Sequence, residues 1–211
     1  MLRSAHNQYG MSLLELMIAI AIGSILLMVG IPSFKSWIQN TQVRTAAESI
    51  LNGLQVARTE AVRRNTNVRF NLDASGMVAW RVNCETVVPM QSDGYECPAG
   101  IQSRAGNEGG TNARVGISTA AYPTATPVPS SYFNDPGAGT GLPAGVTFDG
   151  LGRVPAKNPD GTPNNDDITL ISVTNAQSTT ARRMVIVIRT GGQVRMCDPA
   201  LVLAANPQGC S

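Results

Sequence analysis

Between Leu13 and Ile31 the sequence reads LLELMIAIAIGSILLMVGI, nineteen residues that carry a single charge, Glu15. A chain with such a run has few options. As a helix rising about 1.5 Å per residue it reaches roughly 28 Å, the hydrocarbon thickness of a bilayer. Phe34 and Trp37 follow where a membrane interface would lie, and Lys35 and Arg44 mark the return to water. A core helix this apolar on every face would need a larger soluble domain around it. A removable secretory signal is the rival reading, since Arg3 precedes the run. Against it, the run is longer than a typical signal core, and no small-x-small cleavage site follows. The sequence instead proceeds through GIPSFKSWIQN into more helix-like chain, so the span is expected to stay attached.

The remainder bounds what can be built around that helix. With 211 residues, 43% of them hydrophobic, one modest globular core is expected and two large domains are excluded. A formal net charge of +2 demands neither nucleic acid nor an anionic surface as partner, so any basic patch must be local. Only 14% of residues are charged, while 21 glycines and 13 prolines predict many turns and loops.

The segment QYGMSLLELMIAIAIG, Gln8 to Gly23, resembles the class III leader junction of type IV prepilins. The resemblance implies a prepilin peptidase that cuts after Gly10 and methylates the new N-terminus at Met11. Met11 stands where phenylalanine is usual and Tyr9 where a basic residue is common, which points to a minor subunit. Glu15 needs a reason of its own, because an ionised carboxylate in lipid costs on the order of 3 kcal/mol at mid-helix. It wants a cation. The resemblance supplies the α-amine of Met11 of a neighbouring mature chain, a pair that sets register more than it stabilises. Other pilin subunits, the prepilin peptidase and the inner membrane are the partners so implied.

Gly23, Gly30 and Pro32 interrupt the helical pattern, and a bend or break is expected at Pro32, which cannot donate to the preceding turn. Beyond it Val43, Ala46, Ala47, Ile50, Leu54, Ala57 and Ala61 recur at three- and four-residue spacing, a stripe to cover a sheet. From Met11 to about Asn65 this helix would reach roughly 80 Å, more than a small domain encloses, so half should project. The stretch Ile50 to Phe70, ILNGLQVARTEAVRRNTNVRF, resembles the end of the long helix in FimT/GspH-like minor pilins and pseudopilins.

After Asn65 the pattern alternates. NVRFNLD and MVAWRVNC, either side of Ala74-Ser75-Gly76, read as a hairpin. Further strands are expected at Arg114–Thr119, Val146–Phe148, Ile168–Val173, Arg183–Arg189 and Gln193–Cys197, the last two joined by Gly191-Gly192. The Gly/Pro/Ser/Thr-rich stretch from about Gly100 to Gly145 and the turn-rich NPDGTPNNDD read as surface loops. Of three possible cysteine pairings the local one is expected, Cys84 with Cys97 and Cys197 with Cys210, in an oxidising periplasm. Zinc is disfavoured: there is no C-x-x-C, and the one histidine, His6, lies in the leader. Its loss on cleavage leaves no imidazole for catalysis, so neither enzymatic activity nor a cofactor is expected. Asp160, Asp166 and Asp167 lack a calcium-loop spacing and read as a solvated turn.

The expectation is therefore an α+β chain of the type IV pilin fold, a long N-terminal helix packed on an antiparallel sheet with disulfides. The leader covers 1–10, a membrane-spanning and filament-core helix 11–31, an amphipathic continuation 32–65 and a periplasmic β-rich head 66–211. A minor pilin that helps prime a surface pilus, serving adhesion or twitching motility, is one function; a GspH-like pseudopilin of a type II secretion system is another. A third is DNA capture, for which some FimT-like pilins use a basic G-R-x-R motif. Here that stretch reads Gly192-Gln193-Val194-Arg195, without the first arginine, and Arg153, Lys157, Arg182, Arg183 and Arg189 are the further candidates for phosphate contacts.

Overall fold

The computed structural model describes residues 11–92, 94–108, 110–120, 130–133, 144–157, 161, 162, 164 and 167–210. Gly10 and the rest of the leader, with Asp160 and Asp166, lie outside the described residues. The chain divides into two units, Met1–Ile38 and Gln39–Ser211.

One α-helix, α1, runs over Leu13–Arg64. Pro32 lies inside it, so the expected break is absent. The physical reason is that a proline within a helix removes one backbone hydrogen bond, which long apolar helices tolerate. The helix ends where Asn65 takes a left-handed φ of 48°. Asn65 N–H donates to the Val62 carbonyl and Thr66 N–H to the Ala61 carbonyl, closing the last turn as a Schellman motif. In this last turn the Arg63 guanidinium, hydrogen-bonded to the Glu60 carboxyl, and Arg64 beside it hold that carboxyl below its ordinary value of 4.5.

Among the described residues eight strands follow: β1 Val68–Leu72, β2 Trp80–Cys84, β3 Gln102–Arg104, β4 Ala113–Ser118, β5 Gly145–Phe148, β6 Leu170–Asn175, β7 Met184–Ile188 and β8 Val194–Cys197. Each predicted strand is present with its ends within two residues, except that MVAWRVNC becomes a strand only from Trp80, and the hairpins β1–β2 and β7–β8 form as read. The single expected sheet is instead two four-stranded antiparallel sheets, ordered β3-β2-β1-β5 and β4-β6-β7-β8. The 100–145 stretch, read mainly as loop, contributes β3 as well as β4. Both disulfides have the local pairing, with Cα atoms 5.7 Å apart for Cys84–Cys97 and 5.0 Å for Cys197–Cys210.

All seven stripe residues of α1 are buried, in one core with Val68, Phe70, Leu72, Trp80 and Val82 of the first hairpin and Phe148, Ile171 and Ile186 beyond it. Trp80 Nε1 donates to Ser49 Oγ at 3.0 Å, so its indole leaves no buried donor unmet. Gly53 is required at the closest approach: a Cβ there would lie 2.8 Å from Phe70 Cε2 and 3.0 Å from Trp80. A smaller cluster of Leu170, Val185, Val187, Cys197 and Cys210 lies apart, covered by Tyr132 and Phe133.

Two measurements test this account. Gly53→Val should lower stability by about 1–3 kcal/mol, the usual cost of overpacking, in urea unfolding of the detergent-solubilised chain. Glu60 titrates lower when folded than unfolded, so its stabilising contribution is complete above pH 4.5 and is lost as pH falls through the folded value. Unfolding titrations should accordingly show stability decreasing below that pH, with a shallower decrease in Glu60→Gln.

Candidate assembly interface

The first turn of α1 is built by Ser12. Its Oγ accepts the Glu15 N–H at 3.2 Å and its carbonyl the Leu16 N–H at 3.2 Å, so Ser12 is the N-cap. Glu15 sits three residues on, in the first turn, where the positive end of the helix dipole favours a carboxylate. Sequence reasoning missed this cap, although Ser12-Leu13-Leu14-Glu15 carries the S-x-x-E signature of a capping box. Met11 stands immediately ahead of the cap, exposed.

On both sides of Glu15 the apolar side chains stand exposed. Leu13, Leu14, Leu16, Met17, Ile18, Ile20, Ile22, Ile25, Leu26, Leu27, Met28 and Ile31 are each at least half exposed. Among the described residues α1 is the one helix long and apolar enough to cross a membrane. Phe34 and Trp37 stack with centroids 5.9 Å apart just beyond this run. Such a surface is stable only in lipid or against other apolar helices. A single carboxylate on it makes sense where a cation meets it there.

The basic residues singled out for DNA are not brought together. Arg182 and Arg183 precede β7, whereas Arg189 follows it at the opposite end of a five-residue strand. Arg153 lies near Arg189, because Val154 N–H donates to the Thr190 carbonyl. Three of the guanidinium groups are held by the fold. Arg182 bonds buried Asp198 through Nε at 3.1 Å and Nη2 at 2.5 Å. Arg153 pairs with Asp149 at 3.2 Å, and Arg195 Nη2 donates to the Pro207 and Gly209 carbonyls, each at 2.8 Å. Arg183 lies over the Phe133 ring, 5.5 Å from its centroid. Gly192 has a structural role: its φ is 76° in the β7–β8 turn, and a Cβ would overlap the Gly152 carbonyl.

The solvated-turn reading fails for Asp167, which is 6% exposed. Its Oδ1 accepts Arg69 Nη1 at 2.8 Å, and its Oδ2 accepts Asn164 Nδ2 at 2.7 Å and the Thr147 N–H at 3.1 Å. Arg69 also donates to Thr147 Oγ1 and Asn71 Oδ1, and Asn71 continues to Asn83. This network ties β1, β2 and β5 to Asn164 and Asp167 on the face of the first sheet turned away from α1. Among the described residues no cluster of His, Cys, Asp and Glu is arranged to hold a metal.

An exposed apolar N-terminal helix with one acidic residue in its first turn, joined to a disulfide-bearing β head, is the architecture of a pilin-like subunit. The chain belongs to the family described as type II transport protein GspH, whose model matches residues 46–192. The prokaryotic N-terminal methylation motif matches residues 5–31. Similar solved structures include the type IV minor pilin FimU of Pseudomonas aeruginosa, at 13% identity and TM-score 0.45, covering 75% of this chain and 90% of that one. Another is the minor pseudopilin EpsH of the Vibrio cholerae type 2 secretion system, at 9% identity and TM-score 0.42, covering 76% and 99%. No curated protein sequence matches the chain.

Asp167→Ala would leave Arg69 facing a buried cavity without its counter-charge. A fully buried broken pair costs about 3–5 kcal/mol, and Arg69, with 21% of its side chain exposed, should cost somewhat less. Unfolding of Asp167→Ala against Asp167→Asn, which keeps the Thr147 acceptor, measures the ionic share.

Proposed function

We propose that this chain is a minor pilin of a type IV pilus, cut after Gly10, methylated at Met11, held in the inner membrane by residues 11–31 and then drawn into a filament at low copy to help prime its assembly. The observation that supports this most is the surface of α1 from Met11 to Ile31, apolar all round and interrupted by one capped, first-turn carboxylate. Glu15 would pair with the Met11 α-amine of a neighbouring subunit, and its burial is tolerable only with that partner. The subunit's role is structural rather than enzymatic.

A second reading has its own support: the family model that matches is described by a type II transport protein, so the chain would serve as a pseudopilin in a secretion machine. DNA capture has weaker support, since the candidate arginines lie at two ends of the head and three are engaged internally. It would appear as salt-sensitive DNA binding that weakens for all sequences in Arg182→Ala/Arg183→Ala.

The deciding experiment is deletion with complementation, scoring sheared surface pili and secreted exoproteins in the same cultures. The minor-pilin reading expects loss of pili with secretion intact; lost secretion with normal pili would establish the pseudopilin instead. Complementation with Glu15→Ala should leave leader cleavage intact, seen as a mobility shift, yet fail to restore the filament.

A further inference from the structure

Each of the two sheets has two edges, and an antiparallel edge strand turns the N–H and C=O of every second residue away from its one neighbour. Three of these edges are closed by other chain. Beside β5, Gly145 bridges Asp167 and its carbonyl accepts the Ile168 N–H at 2.8 Å. Beside β4, Arg114 bridges Met77 and the Val115 N–H donates to the Gly76 carbonyl at 2.9 Å. Just past β8, Asp198 bridges Gly209, and Arg195 Nη2 holds the Pro207 and Gly209 carbonyls. The edge at β3 differs: among the described residues it pairs with β2 and with nothing on its other side.

Gln102 and Ser103 of this open edge are exposed. Pairing with β2 reaches one residue further back, where the Ile101 N–H donates to the Val82 carbonyl at 2.8 Å, so 101–104 form one continuous edge. A cleft of about 810 Å³ lies along it, with Asp73, Arg81, Ile101, Ser103 and Arg104 in its lining. Arg81 stands opposite Ser103 in the pairing and Arg104 opposite Trp80, so the two arginines leave opposite faces of the sheet. Arg81 is exposed. Arg104 donates through Nη2 to the Glu108 carbonyl, while its Nη1 is shielded from water and has no partner among the described residues. Asp73, the one acid in the lining, already accepts the Ser75 N–H at 2.8 Å.

We infer that the β3 edge is a docking site for an extended acidic segment of another protein, which adds as a further strand to the first sheet and sets carboxylates at neighbouring positions against Arg81 and Arg104. Main-chain hydrogen bonds to an open edge supply affinity whatever the sequence, and the side chains of the added strand supply the choice of partner. Neighbouring residues of a strand point to opposite faces, as the two arginines do. Two arginines on an edge disfavour a basic strand, and a carboxylate gives the guanidinium of Arg104 the acceptor that its Nη1 lacks, in a charge-assisted bond. The site lies wholly within the head and goes beyond the filament reading, since it holds for a pilus and for a secretion machine alike.

The test adds dye-labelled peptides, blocked at both ends, to the full chain in detergent and follows their fluorescence anisotropy. Thr-Val-Glu-Asp-Val-Thr should bind saturably and protect the amides of 102–104 from hydrogen exchange, whereas Thr-Val-Lys-Lys-Val-Thr should bind several-fold more weakly. Methylating alternate backbone nitrogens of the acidic peptide, which keeps its charge but blocks strand pairing, should abolish its binding. Arg81→Glu, a change at an exposed position, should shift the preference towards the lysine peptide. No saturable binding of the acidic peptide at millimolar concentration, equal binding of its methylated form, or an unchanged preference in Arg81→Glu would each overturn the docking site. So would protection of 102–104 that rises with protein concentration when no peptide is present, which would assign the edge to a second copy of this chain.

Discussion

How near α1 can come to the first hairpin governs the rest of the head. At the contact the helix offers Ala46, Ala47, Gly53, Ala57 and Ala61, and the sheet offers Phe70 and Trp80, whose rings lie 5.8 Å apart. At Gly53 the bulk is all on the sheet side, the Phe70 and Trp80 rings occupying the space that a helix side chain would take, while Ile50 and Leu54 of the helix also pack into this core. Once this face of the first sheet is committed to the helix, its reverse face has to be closed by something else. Loops do so, and loops carry polar backbone, which is why the cover is the Arg69–Asp167–Asn164 network rather than a second layer of aliphatic side chains.

What was legible in the sequence was whatever repeats locally. The three- and four-residue spacing of the stripe and the alternation of the strands are both consequences of burying one face, and they located every stripe residue and seven of the eight strands. Gln102–Arg104 was invisible because it has no buried face of its own, being exposed or half-exposed throughout, and it is a strand through its pairing with β2. The division into two sheets was equally out of reach, since no local pattern says that β1 accepts β5 while β4 accepts β6.

For the functional residues the same distinction holds. Glu15 stood out because its surroundings are uniformly apolar, but Ser12 passed unnoticed though its signature is only three residues long. Asp167 was misread because NPDGTPNNDD has the composition of a solvated turn and its partner, Arg69, is 98 residues away. The arginines near β7 are close in sequence, yet a strand advances about 3.3 Å per residue, so five residues of extended chain separate Arg183 from Arg189 by more than a patch.

The two disulfides each join cysteines 13 residues apart, and the pairs are widely spaced along the chain. A thiol that must close only a short loop meets its partner at a lower entropic cost than one that must close a loop several times longer, so chain length alone favours each local pair over the crossed ones. Oxidation of the unfolded chain is thereby biased towards the native pairing, with little reshuffling of bonds once made.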